Sequence, residues 1–119
     1  MGKVQINNEV SFTGEALTKI QKYFMTQGKE TISIKDMTDG DTIDPVGYVE
    51  FIDIKDDGTE SEVFSIIDEN NAVYATVSKT FANSFKSIAD IMDGDKFTVK
   101  KISGTTKNGR EYVDCELVI

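Results

Sequence analysis

The sequence predicts a mainly β fold, because five strand-like runs and one amphipathic helix follow one another between residues 46 and 118. Three of the runs come first, the helix follows, and two further runs complete the order. A five-stranded barrel with a helix between strands 3 and 4 is the arrangement of the OB-fold. We therefore expect a single OB-fold domain over residues 1–119, with the barrel at 31–119 and an N-terminal helical extension at 1–30.

Alternating apolar residues and turn signals predict the strands. Residues 46–55, 62–68 and 72–78 predict a three-stranded meander with turns at 56–58 and 70–71. Residues 30–37 predict a strand ahead of the barrel or the first half of its long first strand. A last hairpin is expected from 96–102 and 110–118, turned at Asn108 and Gly109. Its inward-facing residues are predicted to be Phe97, Val99, Val113, Cys115 and Leu117.

Two stretches have helical spacing. The helix of the barrel is predicted after Ser78, a favourable N-cap, and before Asp93 and Gly94. Its apolar stripe consists of Phe81, Phe85, Ile88 and Met92. The N-terminal helix is predicted at residues 13–27, with Thr13 as its cap, Gly28 at its end and a stripe of Leu17, Ile20 and Phe24. We expect this stripe to pack onto the barrel, and a dimer contact is the alternative.

Composition argues against an enzyme. The chain has no histidine and a single cysteine, Cys115, so it lacks the usual general base, the usual metal ligand and any internal disulfide. The aspartates around Asp53 and Asp57 fail the spacing of a calcium loop, because lysine and phenylalanine occupy ligand positions. We expect no catalytic residues, no bound metal and no cofactor. The absence of a signal-peptide apolar region or a membrane span predicts a cytoplasmic protein.

The charge is unevenly distributed along the chain. The formal net charge is −8, yet residues 79–110 contain 7 basic and 3 acidic residues, against 6 lysines and 15 acids in residues 1–78. A locally basic strip can hold a phosphate backbone on an acidic body, since exposed charges are screened beyond about 8 Å. The candidate phosphate ligands are basic residues in or near the closing hairpin: Lys79, Lys100, Lys101, Lys107 and Arg110. The loop of residues 103–109 is expected to be flexible enough to wrap a strand.

Four aromatic residues are candidates for base stacking. Strand alternation places Phe64 and Tyr74 opposite the apolar residues Val63, Ile67 and Val73, which are expected to face inward. Both rings would then lie on the outer surface of neighbouring strands, where single-strand binders hold stacking platforms. Tyr48 and Tyr112, from the first and fifth strands, are further candidates. The alternative for each ring is a place in the core.

The stretch from Tyr74 to Ile119 resembles the single-stranded DNA-binding proteins of lactococcal and related phages. The segments that carry the resemblance are residues 75–81, 84–86, 107–112 and 115–117, together with Thr13 to Ala16 and the chain length. The resemblance implies a non-catalytic OB-fold protein that coats single-stranded DNA during phage replication or recombination in the host cytoplasm. It also implies a homodimer that acts beside the host RecA-type recombinase.

A second class of function remains open at this stage. An OB-like adaptor or phage assembly protein could use the acidic half of the chain to bind a protein and would bind no nucleic acid. The sequence does not distinguish DNA from RNA as the ligand. Affinity for a single strand that falls as salt rises would favour the nucleic-acid reading.

Overall fold

The computed structural model describes residues 3–119, and it is mainly β, as predicted. The described chain forms eight strands and two α-helices. The strands are β1 (Lys3–Ser11), β2 (Ile32–Ser33), β3 (Thr42–Ile43), β4 (Pro45–Ile54), β5 (Glu60–Asp68), β6 (Val73–Thr76), β7 (Val99–Thr105) and β8 (Glu111–Leu117). The helices are α1 (Lys19–Gln27) and α2 (Lys79–Met92), and a single 3-10 turn spans Ile34–Asp36.

These strands form two sheets instead of one closed five-stranded barrel. Within residues 3–119, one sheet has the order β1-β4-β5-β6-β2 and the other has the order β3-β7-β8. β4, β5 and β6 form the predicted meander, and β7 and β8 form the predicted closing hairpin. Only Asp44 separates β3 from β4, so one continuous segment contributes to both sheets. No ladder joins β6 to β8 in the described chain, which leaves the structure open along that seam.

The N-terminal segment differs from the predicted helical extension. Residues 1 and 2 of that extension lie outside the described residues. β1 pairs antiparallel with β4, so this segment adds an edge strand to the larger sheet. α1 begins later than predicted because Thr18, and not Thr13, forms the capping box, with its hydroxyl accepting from the Gln21 amide. Gly28 ends the helix, as predicted.

The later start of α1 changes which of its faces packs. Met25 is the residue of α1 that is buried against the sheet, whereas Ile20 and Phe24 are exposed at 70% and 51%. Leu17 precedes the helix and therefore does not continue its stripe, although it packs against the same cluster as Met25. The prediction that Ile20 and Phe24 pack onto the barrel was wrong.

The larger sheet is buried on both faces, which explains a second correction. One face packs with α2 and the smaller sheet around Phe64, Phe81 and Phe85. The opposite face packs with α1 and contributes Val49, Phe51, Ile67 and Val73 to a second cluster around Met25. Alternation identifies the two faces of a strand but does not say which one meets the larger core. Ile67 and Val73 are therefore buried as expected, whereas the prediction that the face of Phe64 and Tyr74 is the outer surface was wrong.

α2 follows the prediction closely. The Ser78 hydroxyl accepts from the Phe81 amide, and Asp93 ends the helix in the left-handed conformation with φ of 46°. Phe81 and Phe85 are fully buried, and Ile88 and Met92 pack at the edge of the same core. In the closing hairpin, Phe97, Val99 and Cys115 are buried as predicted and Val113 is partly buried. Leu117 is 39% exposed, which corrects its inward assignment.

The buried thiol predicts a loss of stability at high pH. Burial, helped by the charge of Asp114, raises the pKa of Cys115 to about 12, while the ordinary value is 9.0. Between these values the unfolded chain binds fewer protons than the folded chain, so the free energy of unfolding falls as pH rises from about 9 toward 12. Urea titrations from pH 7 to 11 measure this slope. Cys115→Ala should flatten it, and an unchanged slope would contradict the assignment to this thiol.

Candidate nucleic-acid interface

A cleft of about 950 Å³ lies at the open seam between the two sheets. β5 and β6 provide apolar lining through Val63, Ala75 and the neighbouring Val77, which is 69% exposed. These residues lie on the sheet face that α1 covers farther along, because Ser65 pairs with Ala75 and Ile67 pairs with Val73. The remaining lining comes from the end of β6 and the start of α2, from the β7–β8 hairpin and from the segment after α1: Thr76, Ser78, Lys101, Ser103, Gly104, Thr105, Glu111, Tyr112, Val113, Thr31, Ser33 and Lys35.

Tyr112 is the predicted stacking residue that lies in this cleft. Its side chain is 38% exposed, and it pairs across the hairpin with Gly104. A Cβ built on Gly104 would collide with the hydroxyl and ring of Tyr112, so the ring occupies the space that only glycine leaves free. The absence of a side chain at position 104 therefore determines where this ring lies.

Tyr48 and Phe64 are not surface residues, which corrects their predicted placement. They are 6% and 3% exposed, and their ring centroids are 5.0 Å apart in the main core. Their outward placement assumed that only one face of the sheet is buried, and neither ring can meet a base in this conformation. Tyr74 is partly buried against the same core, and its hydroxyl donates to Asp68 at 3.0 Å. Burial and this hydrogen bond raise the pKa of Tyr74.

The turn between β7 and β8 carries two exposed cations. Lys107 and Arg110 form no ion pair with any residue of the described chain, 3–119. The turn is ordered by hydrogen bonds from the Thr106 amide to the Arg110 carbonyl and from the Gly109 amide to the Thr106 carbonyl. Gly104 and Thr105 belong to β7, so the predicted flexible loop of 103–109 is shorter and more rigid than expected. The two cations are thus held at one end of the hairpin.

Lys101 is the least accessible of the five predicted phosphate ligands. Its side chain is 6% exposed, and its Nζ donates to the Met37 carbonyl at 2.8 Å and lies 3.0 Å from Asp39 Oδ1. Ser103 also donates to Asp39, and these contacts hold the pKa of that carboxyl below its usual range. Lys101 therefore holds the 37–41 segment against β7. It also belongs to the lining of the cleft, and its contact with phosphate stays a prediction.

The other two predicted lysines lie outside the cleft lining and have acidic neighbours. Lys79 Nζ is 3.6 Å from Glu62 Oε2, in a smaller groove beside α2. Lys100 Nζ is 3.6 Å from Glu116 Oε2 across the hairpin.

Lys35 is exposed at the cleft, and the sequence prediction missed it because residues 1–78 are acidic overall. The presence of four lysines and one acid in residues 16–35 is the signal that would have identified it.

An open cleft with apolar lining, an exposed aromatic ring, Lys35 in its lining and two cations on the adjoining turn is typical of proteins that bind an extended ligand. The chain is similar to two phage proteins, each named "Single-stranded DNA-binding protein", from Bacillus phage PZA and Bacillus phage phi29. Each is 26% identical over 115 residues, which cover 92% of this chain and 93% of the relative. Both names describe binding proteins, in agreement with the prediction of a non-enzymatic chain. The lactococcal type of the resemblance stays a prediction.

No family model matches the chain, and no solved structure matches it. Among residues 3–119, neither helix has the length and apolar character needed to cross a bilayer.

Proposed function

We propose that this protein binds single-stranded DNA without sequence specificity during phage DNA replication. The observation that carries the proposal is the cleft at the open seam, with the Tyr112 ring in its lining and the cationic turn beside it. The names of the two phage relatives support the same ligand. Stacking on an aromatic face tolerates any base, because every base has a π face.

The strand order supports an OB-like arrangement that is open on one side. β4, β5 and β6 take the places of the first three OB strands, α2 follows them, and β7 and β8 take the places of the last two. OB-folds bind oligonucleotides on the face of strands 2 and 3 and with the loops after strands 1 and 4. In this chain those parts are β5, β6 and the turns at 55–59 and 106–110, and the cleft lies beside β5, β6 and the second turn.

Three cations are placed to neutralise phosphates. Lys107 and Arg110 lie on the hairpin turn, and Lys35 lies at the opposite wall of the cleft. Each phosphate contact made by a single-strand binder contributes about 0.7 to the slope of log K against log salt, because bound counterions are released. These three cations can thus attract phosphates locally although the net charge of the whole chain is −8. A role in recombination, a contact with a RecA-type recombinase and a homodimer stay predictions of the resemblance.

Fluorescence anisotropy of labelled oligo-dT, beside a duplex of equal length and at two salt concentrations, tests the proposal. We expect binding to the single strand that weakens as salt rises. Lys107→Ala and Arg110→Ala should each reduce the salt slope by about 0.7. Lys96→Ala is the matched control, since Lys96 is 95% exposed at the other end of the hairpin. Absence of binding at low salt would refute the proposal and would favour the protein-binding alternative.

A further inference from the structure

An apolar face of α1 lies exposed outside the cleft. Ile20, Tyr23 and Phe24 are 70%, 53% and 51% exposed, while Met25 on the other side of the helix is 2% exposed. The rings of Tyr23 and Phe24 meet edge to face with centroids 5.3 Å apart. We call Ile20, Tyr23 and Phe24 the α1 face. Two aromatic rings exposed to water on one short helix are unfavourable in free energy unless a ligand covers them.

The chain segment that contains the α1 face is rich in lysine. Residues 16–35 contain Lys19, Lys22, Lys29 and Lys35 and one acid, Glu30, in a chain whose net charge is −8. Lys22 is paired with Glu9 at 3.3 Å, whereas Lys19, Lys29 and Lys35 are exposed and form no ion pair with the described part of the chain. Exposed aromatic rings among cations match the chemistry of single-stranded nucleic acid, which offers bases to stack and phosphates to neutralise.

A second copy of this chain fits the α1 face less well. A two-fold contact between two such faces would bring lysines against lysines, and like charges in contact oppose association. The face is also small. A helix of nine residues is about 14 Å long and about 10 Å wide, which gives roughly 140 Å² of projected area against the roughly 800 Å² that each partner buries in a stable interface.

The α1 face lies close to the cleft along the chain, on the side of α1 that points away from the sheet. α1 packs on the same face of β5 and β6 that lines the cleft, with Ile67 and Val73 beneath the helix and Ala75 beneath the cleft. The chain then runs from α1 directly into Thr31 and Ser33, which line the cleft. Thr31 is seven positions after Phe24, a path of at most about 25 Å when fully extended.

We propose that the α1 face is a second stacking platform, on which Tyr23 and Phe24 receive bases of the same DNA strand after it leaves the cleft. This inference rests on the proposed binding of single-stranded DNA by the cleft. It assigns Lys19 and Lys29 to the phosphates of that distal part of the strand, whereas Lys35 belongs to the cleft. Each protein molecule then covers more nucleotides than the cleft alone would, and the affinity for single-stranded DNA depends on the length of the strand.

The test compares the wild type with a Tyr23→Ala/Phe24→Ala variant on oligo-dT of about 6 and about 20 nucleotides, lengths that fall below and above the usual range for one OB-fold. We expect the variant to bind the long strand at least about tenfold more weakly and the short strand equally well. Tyr23→Phe/Phe24→Tyr, which retains both rings, should bind like the wild type. Ile91→Ala is the matched control, because Ile91 is 78% exposed on α2.

Each other outcome has a defined meaning. If the wild type binds neither strand, the proposed function itself fails. If the wild type binds and the variant binds both lengths equally well, the cleft proposal stands and the α1 platform is refuted. An equal loss on both lengths, or a change in oligomeric state by analytical ultracentrifugation without DNA, also refutes the platform. Circular dichroism melting verifies that the variants are folded.

Discussion

Replacing Phe85 by alanine is expected to lower the free energy of unfolding by about 3–5 kcal/mol, a large share of the stability of a domain of this size. The side chain is fully buried at the centre of the main core. Five aromatic rings have centroids between 5.3 and 6.2 Å from its own: Phe12, Tyr48, Phe64, Phe81 and Phe97. Truncation removes these contacts and leaves a cavity that the surrounding rings fill only in part, because each of them is also packed against other residues of the core.

Urea unfolding followed by circular dichroism measures this loss. Phe85→Leu retains most of the volume and should lose less stability, which keeps the comparison quantitative if the alanine variant does not fold. Ile91→Ala, on the same helix but 78% exposed, should change the free energy of unfolding by less than about 0.5 kcal/mol. Equal losses for Phe85→Ala and Ile91→Ala would contradict the central place of Phe85 in the core.

Gly104→Ala is expected to weaken binding to single-stranded DNA by about 1–3 kcal/mol, the worth of one stacked base, while leaving the fold intact. The added Cβ would take the space of the Tyr112 ring, which is the movable end of a side chain and can swing away. Alanine is no less compatible with a strand than glycine, so the free energy of unfolding should change by less than about 1 kcal/mol. Anisotropy titrations and urea unfolding of the same preparations separate the two effects.

A double-mutant cycle tests whether Gly104 acts through Tyr112. If the glycine only positions the ring, Gly104→Ala adds nothing to the loss already caused by Tyr112→Ala. Tyr112→Phe retains the ring and should bind nearly as well as the wild type. Additive losses in the cycle would show that position 104 touches the DNA itself or disturbs the hairpin, and the positioning role would be rejected.

Elements that depend on local chemistry were predictable from the sequence. The cap at Ser78, the stripe of Phe81 and Phe85, and the turn at Asn108 and Gly109 are all encoded within a few neighbouring residues, and the structure contains all three. The burial of Phe64 was not predictable in this way. Helices pack on both faces of its sheet. The helix and strand periodicities of the sequence show which residues share a face, but they do not show which helix packs on that face.

The candidate site was predicted in part, for a similar reason. Tyr112, Lys107 and Arg110 belong to one hairpin, so their proximity to each other follows from the sequence. Lys35 lies beside β6 through the parallel pairing of β2 with β6, and Val77 faces the hairpin across the open seam. No local sequence pattern predicts either of these long-range arrangements. The burial of Lys101 was not predictable because its partners, Met37 and Asp39, lie more than sixty residues away in the chain.

The continuous segment that β3 and β4 share has a consequence for the order of folding. The hairpins β4–β5 and β7–β8 can each close over short turns, but Ile43 must meet Val99 across more than fifty residues. Loop closure over that distance costs entropy before any contact compensates it, so the junction of the sheets is expected to form late. The cleft draws its walls from both sheets. Affinity for DNA would thus appear only in the last step of refolding, after most of the secondary structure is already present.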